Sequence, residues 1–366
     1  MSETGLDSSF FGSPDYVPVS KGIDIKSARA ERGILPDAQI RFERLLENKG
    51  WRQIKELEGG GKLPTLDEWV DHRITNRRGT KFFPCFVADE QGKIFFLKTQ
   101  VSKDSNTLRS LAKEAIILKG FNEMGYPSPK FCEYEEGDDE TLAFIRLEAI
   151  TPDQGRVAAA GDWQEKHARS AIKQIKKMEE TDLSLLPGKL MEMEAFQVRV
   201  RVIETMIDLA KRAGKYLPDE IGGKLGRLKE MGGEIRTVLV HGDMTMKNIV
   251  IDNEGGVLPV DFELAKRGFL GQDAGKLLSG LKENQAVFMV ALESYVDDGS
   301  GGIDQNRLRA LIIGMATENL VHLVWRVENS QKNDETLAEI KIFVEKIKDV
   351  LSIEEEFRPR AEEEGN

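Results

Sequence analysis

Two carboxylates and one amide carry the clearest chemistry in this chain. His241, Gly242, Asp243 and Asn248 form H-G-D-x-x-x-x-N, and Asp261 opens D-F-E thirteen residues after Asn248. Four specified positions at about one in twenty each predict roughly 0.002 chance occurrences in a chain of this length. That weighs against the bland alternative, a charged surface hairpin. Hard oxygen ligands of this kind suit Mg²⁺, which prefers one or two carboxylates plus phosphate oxygens to an all-protein cage.

The flanking residues say how such groups would be positioned. Val238 to Val240 and Ile249 to Ile251 are apolar, β-branched runs, and Val257 to Phe262 follows the turn residues Asn253-Glu254-Gly255-Gly256. This pattern predicts a strand, a polar loop and then a hairpin. Folding Ile249–Asp252 back on Val257–Asp261 would bring Asn248 and Asp261 to one end of the ribbon, with Asp243 on the loop just before it. Upstream, Phe82–Ala88 and Lys93–Gln100 flank Asp89-Glu90-Gln91-Gly92 and read as a second hairpin. In its second strand Ile94, Phe96 and Lys98 share a face. A helical stretch containing Glu114 comes next.

A strand lysine, a helix glutamate, a loop Asp with a downstream Asn, and a D-F-x Asp recur in this order in phosphoryl-transfer enzymes of the kinase type. With H-G-D for H-R-D and D-F-E for D-F-G, the chain resembles the aminoglycoside phosphotransferase and choline kinase family of small-molecule kinases. Thr245 and Lys247 fit its H-G-D-x-T-x-K-N form. The resemblance implies an α+β, bilobal, protein-kinase-like fold. Its N-lobe is a small antiparallel sheet with one main helix, and its C-lobe is larger and mostly helical.

The resemblance also implies roles. Asp243 would be the catalytic base and Lys247 would offset charge on the transferring phosphoryl group. Asn248 and Asp261 would hold Mg²⁺. Lys98, braced by Glu114, would contact the nucleotide phosphates, and Glu148-Ala149-Ile150 would supply the hinge, so Glu148 and Ile150 join the nucleotide site. ATP is the implied donor, with GTP open because Phe96 is bulkier than the usual alanine two before the lysine. No G-x-G-x-x-G occurs, and residues 76–80 stand where the phosphate-covering loop would be. Asp273 resembles the family's aspartate that braces the catalytic loop, and as a helix N-cap it would also satisfy backbone donors.

Composition narrows the partners. Forty per cent apolar and 31% charged residues describe an ordinary globular chain, and a net charge of −11 disfavours nucleic acid or an anionic membrane. Two cysteines and four scattered histidines lack zinc-ligand spacing. No 18-residue apolar run is evident, which predicts a cytoplasmic protein. The expected acceptor is a small molecule with a hydroxyl, cationic or neutral (an amino alcohol, aminoglycoside or sugar-like compound), and the sequence carries no signal for oligomeric state. A protein kinase and a catalytically inactive nucleotide-binding module are the alternatives.

The expected organisation is a disordered tail over 1–20, a helical extension over 21–62, the N-lobe over 63–148, the helical C-lobe over 149–353 and a charged tail over 354–366. Within it, Ile40 to Leu46 predicts a helix that Trp51, Ile54 and Leu57 extend or follow with another. Leu66 to Gln100 predicts strands. Further helices are expected over 163–178, 192–213, 220–231, 277–296, 305–328 and 336–351. His322 and Trp325, among apolar neighbours on one of these, read as core residues.

Overall fold

The computed structural model describes residues 24–56, 63–75, 81–103, 105–150, 154–157, 160–182, 204–205, 207–231, 235–329 and 334–356. The expected tails at 1–20 and beyond 356, the glycines at 59–61, the loop at 76–80 and most of the helix expected over 192–213 lie outside them. The architecture is the bilobal α+β, protein-kinase-like class. Unit one takes Met1–Ala158 with Ile249–Leu264, and unit two takes Ala159–Asn248 with Ala265–Asn366. The sequence division had kept 249–264 with the second lobe. Backbone pairing explains the difference, because Ile249–Asp252 is hydrogen-bonded to Gly155–Val157 at the end of the first.

Unit one is built on a five-stranded antiparallel sheet. Its strands are β1 (Arg52–Gln53), β2 (Phe82–Ala88), β3 (Ile94–Gln100), β4 (Phe131–Glu135) and β5 (Phe144–Glu148), in spatial order β1-β2-β3-β5-β4. β3 is central: Lys98 lies opposite Pro84 on one side and Ile145 on the other. Helices α1 (Ile25–Glu31), α2 (Ala38–Lys49) and α3 (Leu66–Thr75) belong to the same body. Phe42, Leu45, Leu66, Trp69 and Val70 share one buried core with Phe83, Leu97 and Phe144. Phe42 meets Phe83 edge-on at 5.3 Å, and Trp51 meets Phe144 at 5.5 Å. Such pairs contribute about 0.5–1.5 kcal/mol each beyond their burial. The N-terminal extension therefore packs into unit one.

Three local expectations fail here. Leu66–Thr75 is a helix, although it was expected to be strand. Leu66, Trp69, Val70 and Ile74 follow helical spacing, and a capping box starts the helix: Thr65 N–H donates to Glu68 Oε2 (2.8 Å) while Glu68 N–H donates to Thr65 Oγ1 (3.3 Å). Trp51 and Ile54 flank strand β1, where a helix was expected, because Gly50 ends α2 at φ 64° and Arg52 then pairs with Ala88. Strand β4 was not anticipated at all.

The helix α4 (Ser105–Glu123) follows β3, and a second sheet joins β6 (Gly155–Val157), β8 (Ile249–Asp252) and β9 (Val257–Pro259). Ile249 pairs with Pro259 and Ile251 with Val257, which is the expected hairpin.

Unit two carries a two-stranded ribbon and most of the helices. β7 (Thr237–Val240) pairs antiparallel with β10 (Lys266–Phe269). Helices α5 (Glu165–Glu179), α6 (Asp219–Met231), α7 (Gln272–Leu281), α8 (Gln285–Val296), α9 (Gln305–Asn329) and α10 (Asp334–Glu356) follow in order. The expected single helix over 277–296 is two, because the Asn284 side chain accepts from Val287 N–H (3.4 Å) and starts α8 afresh. α9 is long and apolar enough over Gln305–Glu328 to cross a membrane, but 61% of its apolar window is buried within the protein. Leu308, Leu311, Ile312, Met315, Leu320 and Leu323 are core. His322 and Trp325 are not. Trp325 is 54% exposed, and His322 is exposed while it stacks on Phe343.

Candidate functional site

One cluster of candidate residues lies within unit one. Alternation along β3 buries Phe95, Leu97 and Thr99 and turns Lys98 to the other face. There its Nζ donates to Glu114 Oε2 (2.8 Å), Asp261 Oδ1 (2.6 Å) and Glu263 Oε2 (3.3 Å). Glu114 reaches it from α4 and is almost wholly buried. Its other oxygen accepts from Phe262 N–H (3.1 Å), and the Phe262 ring sits edge-on to Phe121 of the same helix at 5.3 Å. The D-F-E segment is thereby fastened to α4 by one hydrogen bond and one aromatic contact.

Asp261 is held with φ 67°, and among the described residues it is the one non-glycine residue with positive φ. Left-handed backbone costs about 1–3 kcal/mol and persists where surrounding contacts impose it. Here Lys98 on its side chain and the Phe262 anchor after it do so. One ammonium thus faces three carboxylates. Burial lowers the pKa of Lys98, but Glu114, Asp261 and Glu263 outweigh it and keep the amine charged well past its ordinary range. Burial pushes the Glu114 carboxyl up; Lys98 opposes this, and Asp261 and Glu263 add to it.

A second cluster lies within unit two. β7 buries Val238, Leu239 and Val240 and delivers His241, also fully buried, to the loop. Asp273, in the first turn of α7, receives both of the next two amides: His241 N–H on Oδ2 (2.6 Å) and Gly242 N–H on Oδ1 (3.0 Å). It braces the loop and does not cap the helix, whose N-cap is Gly271. Burial pushes the Asp273 carboxyl up to about 7, against the pull of those two donors. The sharp turn needs glycine at 242, where φ is 82°. His241 Nδ1 accepts from Asp243 N–H (3.3 Å), which gives His241 a supporting place in the loop.

Asp243 itself is one-fifth exposed. Its Oδ2 accepts from Asn248 Nδ2 (2.8 Å), and the same amide nitrogen reaches the Asp243 carbonyl (2.9 Å). With that nitrogen committed, the Asn248 amide oxygen is the atom directed elsewhere. Lys247 lies 3.5 Å from Oδ2 with a side chain 73% exposed. A nearer cation was not anticipated: Lys276 Nζ, from α7, is 2.9 Å from Oδ1. Burial pushes the Asp243 carboxyl up, but Lys276, Lys247 and Asn248 outweigh it and hold it below its ordinary range. An ionised Asp243 can accept a proton.

The structure therefore gathers Lys98, Glu114 and Asp261 in one unit and Asp243, Lys247 and Asn248 in the other. Glu148 goes elsewhere. Its carboxylate binds Lys93 (2.8 Å) and Lys130 (3.2 Å), and its N–H donates to the Lys130 carbonyl. Its side chain and N–H are thus engaged within unit one. Ile150 is half-buried just beyond β5. Sequence reasoning missed Glu263 and Lys276. The signal for Lys276 was its place three residues after Asp273, which puts both on one helix face.

A strand lysine tied to a helix glutamate, with an acidic D-F-E turn and a braced H-G-D loop, marks a phosphotransferase of the kinase-like fold. The profile of the phosphotransferase enzyme family, APH, matches residues 85–302, more than half of the chain, and the chain belongs to that family. No curated protein matches the sequence. Among solved structures, a Ralstonia eutropha protein assigned as an aminoglycoside phosphotransferase is 14% identical (TM-score 0.54), covering 77% of this chain and 92% of its own. A choline/ethanolamine kinase family protein from Mesorhizobium loti is 15% identical (TM-score 0.52; 89% and 94% covered). An amicoumacin kinase solved with AMP-PNP, Ca²⁺ and amicoumacin is 15% identical (TM-score 0.50; 74% and 86% covered). At such identities the likeness is one of fold.

Proposed function

We propose that this protein is a small-molecule kinase that moves the γ-phosphate of ATP to a hydroxyl of its acceptor. The observation that carries the reading is Asp243: a carboxylate held ionised on a braced loop, one oxygen on the Asn248 amide and the other on Lys276. Asp243 orients the acceptor hydroxyl and takes its proton as the new oxygen–phosphorus bond forms. The bond from the γ-phosphorus to the bridging oxygen breaks, and ADP leaves. Lys98 exchanges Asp261 and Glu263 for nucleotide phosphate, and Glu114 keeps it in place.

The donor chemistry suits a divalent cation. Asp261 is 43% exposed and sits with Glu114 and Glu263 around the Lys98 ammonium. Asp261, with the Asn248 amide oxygen named by the motif, would hold Mg²⁺, which neutralises phosphate charge when bound. Ile150 would meet the base edge, as the resemblance implies. A cytoplasmic setting, with its supply of ATP, goes with this reading.

The acceptor is a hydroxylated small molecule. Relatives of the fold include choline and ethanolamine kinases and an amicoumacin kinase, which favours amines. The base's own surroundings do not add to that preference, because Lys276 and Lys247 offset Asp243 and Glu318. A screen of amino alcohols, aminoglycosides, neutral sugars and nucleosides for acceptor-dependent ADP release, with ATP and then GTP, tests the reading. Phosphate transfer to proteins and to no metabolite would overturn it.

A further inference from the structure

Among the described residues, Lys276 is the one cation within ion-pair distance of Asp243 that the H-G-D and D-F-E motifs do not name. It is held as a built feature. The backbones of α7 and α9 cross at glycines: a Cβ on Gly275 would lie 2.4 Å from the Gly314 carbonyl carbon, and one on Gly314 would lie 2.3 Å from the Gly271 oxygen. Any side chain there would force the helices apart. The residue after Gly275 is Lys276, and one turn after Gly314 on α9 comes Glu318. The crossing sets their side chains 3.9 Å apart, with Lys276 also 2.9 Å from Asp243.

The start of α7 is pinned as well. Gly271 N–H donates to the buried Glu179 carboxylate (3.1 Å), which also receives the Tyr295 hydroxyl (2.7 Å) and Arg307 Nη1 (2.5 Å). Lys276 is 22% exposed, against 73% for Lys247, so its ammonium is the more confined of the two. Glu318 is steadied in turn by His322 Nε2 at 3.1 Å.

We propose that Lys276 is a positioning residue for phosphoryl transfer, acting through Asp243. Strung between Glu318 and Asp243 Oδ1, it fixes the rotation of the base carboxylate. With Asn248 on Oδ2, the carboxylate is held from both sides, and the incoming hydroxyl meets a lone pair of fixed direction. The proposal rests on the assignment of Asp243 as the base.

The test uses the full chain, Mg²⁺, ATP and the best acceptor from the screen, with hydrolysis of ATP by water as a second probe. Lys276→Met should lower kcat by about 10- to 100-fold, the range expected when a reacting group is slightly misplaced, with the KM for ATP within about twofold. Lys276→Arg should recover at least about fivefold of that loss. In an Asp243→Asn background Lys276→Met should add almost nothing, because groups acting as a unit are not additive. A merely structural lysine would leave the two losses independent, so full additivity overturns the proposal. So does a kcat for Lys276→Met within about twofold of wild type while Asp243→Asn is crippled. Should Asp243→Asn itself turn over normally, the base assignment falls first and the proposal with it.

Discussion

The two charged clusters differ in how they balance. In unit one Lys98 reaches Glu114, Asp261 and Glu263 together, and Asp261 is nearly half exposed. In unit two Asp243 and Glu318 are matched by Lys276 and Lys247. A cluster with surplus negative charge gains from a further cation, since like charges a few ångströms apart raise one another's cost of ionisation. A balanced cluster gains nothing from one and instead fixes direction. Under the proposed function the contrast separates two tasks: Lys98 and Asp261 serve the nucleotide and its cation, and Lys276 aims the base.

Breaking the aiming half should give the largest effect. Asp243→Asn is expected to lower turnover by at least about 100-fold, the lower end for losing a positioned acid–base group, while ATP binding by calorimetry stays near wild type. Normal turnover in that variant would remove Asp243 from the chemistry. The cation half should answer differently. Asp261→Ala is expected to abolish the Mg²⁺-dependent tightening of ATP binding, so titrations with and without Mg²⁺ should coincide. An unchanged Mg²⁺ effect would place the cation elsewhere.

Two smaller changes sharpen the contrast. Gly275→Ala should cost about 1–3 kcal/mol of stability, as overpacking does, and should slow turnover through Lys276 without touching the Mg²⁺ effect. An unshifted melting temperature would show that the α7–α9 crossing has room to spare. Glu263→Gln takes one negative charge from unit one and leaves two facing Lys98. A drop of only a few fold in Mg²⁺-dependent ATP affinity is expected, with kcat at saturation nearly unchanged, and a kcat loss as large as that of Asp243→Asn would join the two tasks into one.

Legibility in the sequence followed range. The hairpin β8–β9 was readable because contiguous apolar, β-branched runs flank Asn253-Glu254-Gly255-Gly256 in the chain. Helix α3 was equally local, with Thr65-x-x-Glu68 before Leu66, Trp69 and Val70, and was missed because it lies among strands. Trp325 was misplaced for another reason. Its apolar neighbours set one face of α9, and the indole belongs to the other.

Alone, then, the sequence determined the motif order, the strand and helix that carry Lys98 and Glu114, and the spacing of Asp243, Asn248 and Asp261, since each depends on residues within a turn, a hairpin or one helix. Tertiary structure alone decided that Glu263 joins Lys98, that Glu148 spends its carboxylate on Lys93 and Lys130, and that Lys276 meets Asp243. Those contacts join residues far apart in the chain, and their distances follow from strand pairing and from two helices crossing at glycine. No spacing along the chain encodes how closely two backbones can approach.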